Sequence, residues 1–145
     1  MKMKYDALLK SGKIKKQQIS REEIERALFR AERDLKTARS VMAGDWDWGF
    51  AIAYNAVLQA SRAFMFVEGY RPTTHEGHKN TFAFMRVAMG QRYEDLITYF
   101  DRVRNKRNQA MYDVAGMISE AEAKNLFKMA VDFVALIQKI ISEKK

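Results

Sequence analysis

Cysteine is absent from the 145 residues. That excludes a disulfide framework and any thiolate metal site, and it fits a reducing cytosol. Proline occurs once and glycine seven times, and so few breakers favour long uninterrupted helices over a strand-rich fold with many turns. Histidine occurs twice, as His75 and His78. Neither has a thiolate or a paired carboxylate nearby to complete a zinc site, so no metal and no cofactor are expected. His75 reads better as a helix cap or a phosphate contact. No apolar run of about 18 residues is free of charge, so no membrane span is expected. The start, Met1-Lys2-Met3-Lys4-Tyr5-Asp6, is not followed by the apolar stretch of a signal peptide. There is also no Gly-rich phosphate loop, no Ser-His-Asp arrangement on a nucleophile elbow, and no short trihelical unit with a recognition helix.

What is present is positive charge. The formal net charge is +8 and the pI about 9.7, a balance that favours polyanions such as RNA, DNA or nucleotides, or an acidic partner. Simple solubility is the alternative, because many lysines crowd the termini: Lys2, Lys4, Lys10, Lys13, Lys15, Lys16, Lys144 and Lys145.

Hydrophobic periodicity lays out the elements. Residues 3–11 suit a short helix on Tyr5, Leu8 and Leu9, ended by Gly12. The basic segment 13–18 reads as a loop. Ser20 and Glu23 have capping-box spacing and open a helix to about Ala43, with Ile24, Ala27, Leu28, Ala31, Leu35, Ala38 and Met42 on one face. Asp45 caps a helix from Trp46 to Glu68. It is apolar almost all round and therefore central, with Trp46, Trp48, Phe50, Phe64 and Phe66 expected in the core. Its Ala53, Ala56, Ala60 and Ala63 form a small-residue stripe. Asn55, Gln59 and Arg62 share another side, and Tyr54 and Ser61 a third. Gly69 and Pro72 end it in the usual order. A shorter helix spans about 79–89 and a long one about 91–113. A second capping box, Ser119 with Glu122, opens the last helix, which runs to about Ser142.

The long helix over about 91–113 carries the chemistry. At 100° per residue, Leu96, Phe100, Val103, Ala110 and Met111 make an apolar arc with Arg107 near its middle. A core-facing guanidinium needs acceptors. Asp101, Arg104, Asn105, Asn108 and Tyr112 form a neighbouring polar stripe. Two readings fit: a polar network that sets how helices meet, or a functional site.

Three segments resemble the HEPN domain family. They are residues 30–38 (Arg-Ala-Glu-Arg-Asp-Leu-Lys-Thr-Ala); Ala53-Tyr54-Asn55-Ala56 with Ala63, followed by Glu68-Gly69-Tyr70-Arg71-Pro72-Thr73-Thr74-His75; and Arg104-Asn105-Lys106-Arg107-Asn108-Gln109-Ala110-Met111-Tyr112-Asp113. The resemblance covers about 22–141 within one domain of residues 1–145. It implies an all-α fold: an antiparallel four-helix bundle with additional short helices, of the nucleotidyltransferase substrate-binding-subunit type. It also implies a cytoplasmic prokaryotic protein of a toxin–antitoxin-like system, a homodimer, and a nucleotidyltransferase-like partner.

Active members resembling this chain are metal-independent ribonucleases with an Arg, a polar residue after it, and a His four to six positions further on. Arg107-Asn108 matches the first part, but Tyr112 stands where the His is expected. Counted from Arg104-Asn105, residues 109–111 also hold no His. A tyrosine with a pKa near 10 is a poor base at neutral pH. The expectation is therefore a degenerate site that holds RNA or nucleotide phosphate through Arg104, Arg107, Asn108 and Tyr112. Asp101, Asn105, Tyr54, Asn55 and His75 would support it. The alternatives are an active ribonuclease using Tyr112 or His75, and a non-catalytic dimeric interaction module.

Overall fold

The structure, a computed structural model, describes residues 4–112 and 116–144. Its elements in chain order are α1 (Asp6–Lys10), β1 (Ile14–Lys16), α2 (Arg21–Met42), α3 (Trp46–Glu68), β2 (Tyr70–Pro72), α4 (Gly77–Met89), a 3-10 turn (Gln91–Tyr93), α5 (Glu94–Tyr112) and α6 (Glu120–Glu143). The chain is all-α apart from one small ribbon. The predicted helix over 91–113 divides into the 3-10 turn and α5; its last residue, Asp113, lies outside the described residues.

Local chemistry explains most boundaries. Asp45 accepts from the Trp48 amide at 3.0 Å and starts α3; Gly69, at φ 90°, ends it in the left-handed conformation that glycine adopts without strain. Ser119 and Glu122 form both halves of a capping box. Ser20 caps α2 through the Glu23 amide, but the expected reciprocal half is replaced. The Glu23 carboxylate binds Arg71 instead, because a full cation in reach outcompetes a backbone amide for a carboxylate.

α3 is the axis of the bundle and packs on α2, α6, α5 and α4. The alanine stripe is fully buried, which lets α2 and α3 close up. A Cβ added at Gly49 would stand 2.9 Å from Met42 Cα. By length and composition α3 passes for a membrane span, yet 67% of its most apolar window is buried inside the bundle. Arg62 interrupts its apolar run. Trp48 departs from the expected core and is 49% exposed, because the apolar sequence begins one turn before the neighbouring helices cover α3; Trp46 and Asp47 are only half-buried.

The basic segment 13–18 is not a free loop. Its β1 pairs antiparallel with β2 in the register Ile14↔Pro72 and Lys16↔Tyr70. Ile14 is buried while Lys15 and Lys16 face out, so one apolar side chain seats the strand. Beyond it, Thr73 donates its amide to Lys13 O at 3.0 Å. This ribbon fixes the 73–76 loop. Asn80 Nδ2 completes the clamp by donating to His75 O at 2.8 Å and Thr73 Oγ1 at 3.1 Å. The clamp sets where α4 begins, at Gly77 rather than Lys79.

Candidate functional site

The site forms where α3, α4 and α5 meet. Tyr54 of α3 is fully buried, and its hydroxyl lies 3.0 Å from Nδ1 of His78, the second residue of α4. The buried phenol has no other acceptor among the described residues, so with a neutral ring the hydroxyl donates and Nδ1 accepts. The neutral ring then carries its own proton on Nε2. Burial first, then the charges of Arg62, Arg107 and Arg104, pull the His78 pKa down to about 4. Burial raises that of Tyr54, against the opposing pull of Arg107, Arg104 and Arg62. Both groups are thus uncharged at neutral pH.

The charges of three guanidiniums act on this pair. Arg107 stacks with its Cζ 5.6 Å from the Tyr54 ring centre. It donates to Asn108 Oδ1 at 3.1 Å, which leaves the Asn108 amide nitrogen to donate outward. Arg104 is oriented by Asp101 at 2.9 Å. Arg62 of α3 reaches the start of α4, its Nη2 3.7 Å from the position a Gly77 Cβ would take. Both Arg62 Nε and Arg107 Nε are buried with no partner among the described residues. Burial also lowers the Arg62 pKa. An unpaired, half-buried cation is costly unless an anion joins it. Arg62 and His78 line a cavity of about 450 Å³ together with Lys15, Arg71 and Thr73.

The expected residues separate accordingly. Arg104, Arg107, Asn108, Asp101 and Tyr54 share one electrostatic neighbourhood. His75 does not join them: its side chain is 92% exposed and faces Glu76, because the clamp turns its backbone, not its ring, toward α4. Asn105 is exposed and Asn55 half-buried. Tyr112 ends α5, and its side chain lies outside the described residues. The imidazole of the cluster is His78, and the third arginine is Arg62. Neither was assigned to the site by local spacing. The apolar surroundings of Arg62 were the one available hint; His78 is brought in by tertiary contact alone. No group of His, Asp and Glu among the described residues is arranged to hold a metal ion.

A family model described as HEPN domain matches residues 24–141, from the first turn of α2 to the end of α6. No curated protein matches the chain.

Proposed function

Because the chain belongs to the HEPN domain family, we propose that it is a phosphate-binding member that takes RNA or nucleotide at the arginine cluster around Tyr54 and His78. The observation that carries this reading is the set of three guanidiniums whose charges act on the Tyr54–His78 pair, two of them with buried Nε groups that have no partner among the described residues. Phosphate oxygens would accept from Arg62, Arg104 and Arg107, from the Asn108 amide, and from His78 Nε2–H. A donor on Nε2 suits phosphate binding, and in this reading the ring holds the phosphate without transferring a proton. The implied homodimer, the nucleotidyltransferase-like partner, the toxin–antitoxin-like setting and the cytoplasmic location belong to the same proposal.

Titrating a nucleotide monophosphate and a short RNA into wild type and Arg107→Ala tests it. Loss of a charge-assisted hydrogen bond should weaken binding about 10- to 100-fold. Equal binding by a still-folded variant removes the assignment. The ribonuclease reading is favoured by one observation: the fold supplies, from α4, the imidazole that α5 lacks. It predicts cleavage of RNA in chelator that His78→Asn abolishes, and the binding reading predicts none.

A further inference from the structure

Arg62 does not belong to one cavity only. It forms the shared wall, with Phe66, between the cavity beside His78 and a second of about 210 Å³ against α2. Arg26 and Arg30 of α2 line the second cavity, and Lys15 and Arg71 line the first. Glu23 is the one carboxylate lining either, and Arg71 already binds it. Arg26, Arg30, Arg62 and Lys15 make no ion pair within 4 Å among the described residues. Such a row of like charges repels itself and concentrates an external polyanion. On the flank of Arg26 stands Phe29, 63% exposed, where a base could stack. A mononucleotide fills one cavity and leaves the other cations unmatched. A chain with several phosphates matches both.

We infer that the paired cavities of α2, α3 and α4 form a backbone-tracking groove for a single-stranded oligonucleotide, with Arg62 at the join and Phe29 as a stacking platform. This rests on the phosphate reading of the Tyr54–His78 cluster, which would hold one phosphate of the same strand. The groove adds contacts in proportion to strand length and reads no sequence, since its donors are side-chain cations aimed at phosphate.

The experiment is fluorescence polarisation of the full chain with single-stranded oligonucleotides of increasing length, a duplex of the same length and ATP, each at several salt concentrations. The variants are Arg26→Ala with Arg30→Ala, Phe29→Ala, and Arg107→Ala. Arg26, Arg30 and Phe29 are exposed, so their replacement leaves the fold in place. Wild type should bind longer strands more tightly, and more tightly than duplex or ATP. The double variant should lose that length-dependent gain, with a log–log salt slope shallower by about 1.4 for two lost contacts to a single strand. Phe29→Ala should weaken the longer strands and leave ATP unchanged. If the double variant keeps both slope and length dependence while Arg107→Ala weakens binding, the groove is wrong and the central site stands. If duplex or ATP binds as tightly as single strand, the ligand class is wrong. If no variant changes any affinity, the groove and the site it extends fall together.

Discussion

His78 is the residue on which the site's chemistry turns. Its ring is anchored at one nitrogen by Tyr54 and pressed by three positive charges. In the unfolded chain it takes up a proton near pH 6.5; in the folded chain it does so only near pH 4. Between those values the unfolded state binds more protons, so His78 makes stability rise with pH across that window and lowers it as pH falls. Urea melts of wild type and His78→Asn from pH 4 to 7 measure this. The wild type should lose stability faster on acidification; parallel curves would mean that the ring titrates normally. Little of this was legible in the sequence. Arg107 declares itself as a cation within an apolar arc, and Arg104 and Asn108 as polar residues beside it. An imidazole 24 residues from its tyrosine partner carries no local signal, and from spacing alone His75, nearer the Gly-Pro turn, is the equal candidate.

At the scale of the element, the close approach of α2 and α3 sets the position of Tyr54 and Arg62. Gly49→Ala should gain about 1 kcal/mol in helix propensity. The new methyl would stand 2.9 Å from Met42 Cα, a backbone atom that cannot rotate away, and such overpacking costs roughly 1–3 kcal/mol. The net expectation is destabilisation, seen as a lower urea midpoint. A more stable variant would show that the helices can part freely. Ser119→Ala removes a complete capping box and should cost about 1 kcal/mol. The Glu122 carboxylate there is held below its usual range, first by the Ser119 amide and then by Lys106. Ser20→Ala, whose cap lacks the reciprocal bond, should cost no more; a larger loss at Ser20 would contradict the assignment. Helix starts and stops were readable because their signals lie within four residues. The β1–β2 ribbon was not, since its partners stand more than 50 residues apart and a single buried Ile14 offers no alternation to read. A separation of 48 residues likewise hid the bond of the Glu23 carboxylate to Arg71. Asp47 acts similarly: its carboxylate accepts from the amides of Gly116 at 2.6 Å and Ile118 at 3.0 Å, tying the approach to α6 onto α3.

For the whole molecule, a net charge of +8 leaves many cations to distribute, and the fold uses them unevenly. Some are consumed structurally: Lys106 pairs with Glu122 at 3.0 Å, Lys144 with Glu68 at 3.2 Å, and Arg71 with Glu23. Others, above all Arg62, are set in cavity walls with no ion-pair partner among the described residues. Composition alone fitted either a polyanion partner or simple solubility and could not separate these two groups, because pairing is decided by which helices meet. The bundle and its family followed from periodicity and from three short segments; the site's centre followed only from packing.

The central claim is that phosphate binds beside His78, and its most direct test is the imidazole itself. The His78 ring can be followed by NMR as pH is varied, with and without a short single-stranded RNA, its signal assigned through His78→Gln. Free protein should titrate near pH 4. Bound phosphate would offset the charges of Arg62, Arg104 and Arg107, so the complex should titrate at clearly higher pH, with the shift absent in Arg107→Ala. A ring that titrates near its ordinary value in the free protein, or one that RNA leaves unchanged, would contradict the account.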